Sequence, residues 1–197
     1  MKNILTIAAL AASAAALPTV AVAQSAPNAV IVTVDTQRIY AECTACKAAQ
    51  AQLQSQAQAL QALAQQLQTP LQTEAEGLRT ALAGKTPETA DAATKARITA
   101  FQTKQQQAQQ QLQQREQSVQ RNRAYVLEQI NNRLNPIVTQ VMQARKANLA
   151  IDTQATLAAA SSIDATNDVL AQLNSQLPSV ATTAPAAAAA PAGQPSR

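Results

Sequence analysis

Leucines recur at intervals of seven along the first half of the chain, at Leu53, Leu60 and Leu67, with Leu63 in the intermediate slot and Leu71, Leu78 and Leu82 extending the stripe. Sevenfold apolar spacing holds one narrow face of an α-helix against a partner helix, the seam of a coiled coil. A second stripe begins farther on, at Ile98, Phe101, Ala108, Leu112, Val119 and Val126, and continues through Ile130, Leu134, Ile137 and Val141. Between them, residues 83–89 (AGKTPET) bring a Gly, a Lys and a Pro together, which breaks both helical patterns and reads as the turn of an αα-hairpin. Pro87 suits the first turn of the second helix, with Thr86 as its N-cap. The two arms are similar in length and are expected to pack antiparallel, each extending about 70 Å at 1.5 Å per residue.

The seam is imperfect. Pro70 removes a backbone donor inside the first arm, and a kink is expected there, where the step from Leu67 to Leu71 also leaves the strict sevenfold phase. Gln105, Arg115 and Asn122 fall at positions that should face the partner arm, which predicts marginal, flexible arms. Pro136 reads as a second break, with a helix resuming over residues 137–146.

The flanks have a different grammar. Residues 29–35 (AVIVTVD) are β-branched and apolar up to a cap-like Asp35, which predicts one buried strand entering a helix. Residues 148–152 (NLAID) predict a second short strand. Residues 161–174 then predict a last helix, capped by Asp164 or a neighbouring Ser, with Val169, Leu170, Leu173 and Leu177 on its buried face. From Pro178 to Arg197 the chain is Ala, Pro and Thr with almost no apolar bulk and is expected to be disordered. The N-terminus pairs Lys2 with an apolar run too short to span a bilayer and small residues at Ala21 and Ala23, the pattern of a signal peptide over residues 1–23, followed by a linker over 24–28.

Composition narrows the function classes. With 2% aromatic residues, three Gly and neither Trp nor His in 197 residues, a large compact core is not expected. Removing Lys2 with the signal leaves 14 basic against 11 acidic side chains. This mild excess does not imply nucleic acid; it fits weak attraction to acidic partners or an anionic membrane surface, or simply a solvated exterior.

Taken in order, VIVTVDTQRIY near the mature start, the Gln-rich hairpin, and the closing NLAID and SIDATNDVLAQLN resemble the Skp/OmpH family of periplasmic chaperones over almost the whole mature chain. The resemblance implies a homotrimer. Its small β-containing trimerisation body would draw on residues 29–46 and 137–177, and a coiled-coil arm over residues 47–136 would project from it, giving a mainly α fold. It implies an ATP-independent holdase that keeps unfolded outer-membrane proteins in a cavity between the arms, in the periplasm, without cofactors. The chain departs from better-known members in its Gln and Ala content, its lower charge density and its tail, which weakens the case for electrostatic capture of clients. A structural adaptor of the cell envelope, binding one folded partner through the coiled coil, is the competing reading.

Few side chains invite chemistry. Cys43 and Cys46 form a Cys-x-x-Cys near the start of the first long helix, where a helix N-terminus lowers a thiol pKa. The motif lacks thioredoxin-like surroundings, and a zinc site would need further Cys or His ligands, of which the chain has none. In an oxidising compartment the two are expected to form a disulfide with each other; a staple between subunits, a free thiol pair, redox catalysis and metal binding are the alternatives. Arg79, Lys85, Lys95 and Arg97 cluster around the hairpin turn, where they would make a basic arm tip able to meet acidic client segments or lipid phosphate, or would simply be solvated. Glu74 and Glu76 lie two apart and face different directions on a helix, so neither they nor any other pair supports acid/base catalysis, and no enzyme activity is expected.

Overall fold

The computed structural model describes residues 28–186. The signal-peptide segment, the linker apart from Asn28, and the tail beyond residue 186 lie outside the described residues. Strand β1 (Ile31–Val34) leads through the cap Asp35 into helix α1 (Thr36–Glu42). Helices α2 (Thr44–Leu82) and α3 (Ala92–Ala144) form the hairpin, and strand β2 (Leu149–Asp152) and helix α4 (Thr166–Gln176) close the chain at its base. The mainly α architecture with a long hairpin and a small sheet is the one the periodicity predicts.

The base is built by residues far apart in sequence. β1 and β2 pair in parallel, Ile31 opposite Leu149 and Val34 opposite Asp152, so the entire hairpin is the crossover between two adjacent strands. Asp35 Oδ1 accepts from the Arg38 backbone N–H at 2.8 Å, capping α1, and the Asp35 N–H donates to Thr166 Oγ1 at 2.9 Å, tying the start of α1 to the start of α4. Thr36 Oγ1 donates to Asp152 Oδ2, which joins α1 to the end of β2. These contacts surround a core in which Ile39, Ile137, Val169 and Leu173 have at most 0% exposure and Val32, Val34 and Val141 at most 3%. Sequestering this much branched apolar surface is what makes the base the stable part of the fold.

Several expectations are corrected. α3 runs without interruption through Pro136, where a break is expected; α2 is also continuous through Pro70, where the expectation is a kink and not a break. Both prolines are exposed, and the carbonyls left without an N–H partner, those of Gln66 and Asn132, belong to exposed residues where water can satisfy them. The cap of α3 is Asp91, not Thr86: its Oδ1 accepts from the Thr94 N–H at 2.9 Å and its Oδ2 from the Thr94 hydroxyl at 3.0 Å. Thr86 and Thr89 instead close a tight turn, with the Thr89 N–H on the Thr86 carbonyl at 3.1 Å. α2 ends with Ala83 and Gly84 at φ 40° and 85°, and the second of these is the position where glycine's freedom is needed. Of the three polar residues expected in the seam, only Asn122 is buried; Gln105 and Arg115 are exposed.

Over residues 178–186, the described part of the tail, the expectation of disorder is corrected. Residues 178–186 run back along the lower arm, Val180 packed on the base cluster, and the side-chain amides of Gln56, Asn122 and Gln129 hydrogen-bond to the backbone of Ala181, Thr182 and Ala184. A chain with little apolar bulk is held here because amides on the helices take over its main-chain hydrogen bonds.

Candidate functional site

The hairpin presents two open clefts. The larger, about 720 Å³, lies where α1 and α2 diverge from α3, and its walls include Tyr40, Leu53, Arg123, Val126, Leu127 and Ile130. Leu127 remains 51% exposed at its rim, and Tyr40 donates from its hydroxyl to Asn131 Oδ1 across the base of the arm. Burial of the ring pushes the Tyr40 phenol above its ordinary pKa, the bond to Asn131 working the other way. The smaller cleft, about 250 Å³, separates the arms farther out, lined by Leu67, Leu71, Ala108 and Leu112 with Gln68, Gln105 and Gln109 at its edges. Thus Gln105 borders an opening between the helices while remaining exposed. Apolar walls edged by uncharged amides offer shallow contacts to many side chains and close around none.

Charge is distributed unevenly along these surfaces. From Ala48 to Thr73, α2 carries no charged residue, whereas Lys104, Arg115, Arg121, Arg123 and Arg133 on α3 are opposed there only by Glu116 and Glu128. The basic excess therefore sits on the shaft of α3. The four cations expected at the tip, Arg79, Lys85, Lys95 and Arg97, are all exposed, but Glu74, Glu76, Glu88 and Asp91 share the same stretch, so the tip has no net charge. Arg97 is also engaged across the hairpin, its guanidinium 3.0 Å from Glu74 Oε1, a crossing that Gly77 permits because a Cβ there would meet Arg97 Nη2 at 3.1 Å. Asp91 is held below its ordinary pKa first by the Thr94 backbone N–H, and Glu88 first by the Thr86 side chain. The tip is a charge-balanced turn and not a basic patch.

Cys43 and Cys46 are joined to each other by a disulfide, their Cα atoms 5.1 Å apart. Cys43 is the N-cap of α2, at the break from α1, and the pair is buried at 0% and 4% exposure against the base cluster. The Thr44 N–H at this break donates to Asn174 Oδ1 of α4 at 2.9 Å. The disulfide therefore fixes the bend where the arm leaves the base; Cys43 is fully buried, while Cys46, though only 4% exposed, lines the inner end of the larger cleft. Among the described residues no group of three or more His, Cys, Asp or Glu side chains converges to hold a metal, and no helix is long and apolar enough to cross a membrane.

Of the amides that hold the tail, the sequence marks Asn122 alone. Asn122 was visible only as a polar interruption of an apolar stripe, and Gln56 and Gln129 are two among many glutamines.

Comparison with known proteins gives the fold and the family. The structure aligns with that of an OmpH-like outer membrane chaperone candidate from Caulobacter crescentus CB15 at a TM-score of 0.66 and 23% identity, covering 80% of this chain and 90% of that one. No match was found among curated proteins. The family described as Outer membrane protein (OmpH-like) matches residues 30–173, from the first strand through the hairpin and into α4, and the chain belongs to that OmpH-like family.

Proposed function

We propose that the protein is an ATP-independent periplasmic holdase that keeps unfolded outer-membrane proteins from aggregating, three copies joining through their bases so that their arms surround a shared cavity. The observation that carries this reading is an open hairpin, with clefts along its length, projecting from a tightly packed base in a chain of the OmpH-like family. The related structure from C. crescentus is itself described as a chaperone candidate. Apolar groups left uncovered at the base, Val30 and Leu149 at 45% exposure and Leu157 at 109%, are suited to meeting other copies. The pattern of residues 1–23 supports export. Many weak contacts from Ala, Gln and Leu surfaces suit holding without folding, and release then needs no nucleotide. Contact with anionic lipid is not part of the reading, because the tip is charge-balanced.

Native mass measurement of the mature protein at micromolar concentration, with and without a urea-unfolded β-barrel protein, tests both halves. The expected result is a species of three chains that takes up one client and suppresses its light scattering, for several unrelated barrels. A monomer that leaves the client to aggregate contradicts the reading, and a preference for one folded partner favours an envelope adaptor.

A further inference from the structure

The most unusual site in the molecule is made of three uncharged side chains. Gln129 grips Ala181 at both main-chain groups: its Nε2 donates to the Ala181 carbonyl at 2.9 Å and its Oε1 accepts from the Ala181 N–H at 3.1 Å. The second proton of Nε2 goes to the Tyr125 carbonyl of its own helix at 3.1 Å, which holds the amide in the gripping orientation. Next to it, the Ala184 N–H donates to Asn122 Oδ1 at 2.8 Å, Asn122 Nδ2 donates to Gln56 Oε1 at 2.8 Å, and Gln56 Nε2 donates to the Thr182 carbonyl at 3.0 Å. This relay reads one carbonyl and one N–H two residues apart.

The segment it holds is extended. Val180, Thr182 and Ala184 are half-buried while Ala181, Thr183 and Pro185 are exposed, the period of two of a strand. Its side chains are small, so recognition lies in the main chain. Asn122 is 7% exposed with the tail in place, and both ends of its amide are engaged there, Oδ1 by the Ala184 N–H and Nδ2 by Gln56 Oε1. The site is therefore built to hold a polypeptide backbone.

We propose that Gln56, Asn122 and Gln129 form a main-chain-binding site for extended polypeptide, which the protein's own C-terminal segment fills and from which an unfolded client segment displaces it. The proposal rests on the holdase reading for the identity of the competitor, but the site stands on geometry alone. Amides that satisfy N–H and C=O groups of any extended sequence supply binding without side-chain specificity, which is what a holder of many unrelated chains needs. The resident tail then keeps the lower arm covered until a client arrives.

The test uses the full chain carrying Ala181→Pro and Ala184→Pro, which removes the two tail N–H donors and leaves the three amides intact. A fluorescent peptide with the sequence of residues 178–186, PSVATTAPA, should bind this chain saturably and the unaltered chain at least about tenfold more weakly, because the tail competes there. Adding Gln129→Leu, or methylating the peptide nitrogens equivalent to Ala181 and Ala184, should each weaken binding by about tenfold or more. In the unaltered chain, amide exchange at Ala181 and Ala184 should be slow and should speed up when an unfolded β-barrel protein is added. Equal binding to both chains, binding indifferent to N-methylation, or tail amides that exchange freely from the start would each overturn the site. Binding of the peptide without suppression of barrel aggregation would instead preserve the site and remove the holdase.

Discussion

The base and the outer arm of this molecule are made from the same few residue types, yet they are packed differently. At the base, Ile39, Ile137, Val169 and Leu173 lie at 0% exposure in one cluster that draws on β1 and all four helices. Toward the tip, buried residues are sparse, Leu78 and Ala90 at 7% and Thr94 and Ala108 at 6%, and clefts open between the helices. A two-helix contact leaves most of each helix facing solvent, so the arm gains order from the base that anchors it and keeps little of its own. That contrast suits a device whose fixed end assembles and whose loose end adapts.

Substitutions at the two ends should therefore behave differently. The largest effect is expected for Leu173→Ala, which opens a cavity in the base and should lower unfolding free energy by about 2–5 kcal/mol, read by denaturant titration. Leu78→Ala should leave that transition nearly in place and speed amide exchange only around the hairpin turn. An equal shift of the unfolding midpoint for both would erase the contrast.

Next in size is the disulfide. Replacing Cys43 and Cys46 by Ser releases a four-residue loop, which in the chain-entropy description costs about 2 kcal/mol. The loss should appear in the base transition and be matched by adding reductant to the unaltered protein. A redox role would show instead as lost disulfide exchange, and none is expected with the sulfurs buried.

Acid should act on the base before the arm shaft. Asp152 is held below its ordinary pKa first by the Thr36 hydroxyl, and Asp164 first by the Thr166 side chain. Because the folded-state values are depressed, the stabilisation is fully present above the unfolded-state value of about 4 and disappears as pH falls through the folded-state values. Thermal melts should thus be flat from neutral pH to about 5 and fall below 4, and Thr36→Val should shrink that drop. The smallest effect is expected for Arg97→Ala, whose partly exposed ion pair with Glu74 at the outer arm should be worth under about 1 kcal/mol.

What the sequence made legible follows from the range of the interactions. The strand ending at Asp35, the heptad stripe and the final helix with Val169 and Leu173 are set by neighbours a few residues away. The strand and the stripe lie where the pattern puts them, whereas the last α-helix starts only at Thr166, after a 3-10 turn over Ser161–Ile163, with Ala165 as its N-cap in place of Asp164 or a Ser. Asp91 and Thr86 are both competent caps within one short turn, and local chemistry alone does not rank them. Pro136 reads as a break until its exposure is known, since an unpaired carbonyl is harmless only when water reaches it. The tail was least legible, because its partners Gln56, Asn122 and Gln129 are 126, 62 and 52 residues away from the groups they hold. A segment without apolar bulk gives no sign in sequence that distant amides will order it. The basic tip has a simpler explanation: Arg79, Lys85, Lys95 and Arg97 are balanced by Glu88 and Asp91 among them and by Glu74 and Glu76 just before them.

The claim that the loose arm holds the client while the base only anchors it is tested most directly by hydrogen exchange resolved along the chain, with and without an unfolded β-barrel protein. The account predicts slower exchange over the arm portions of α2 and α3 on client binding, with the amides of β1, β2 and α4 unchanged. Protection confined to the base, or an arm whose exchange does not respond to the client, would contradict it.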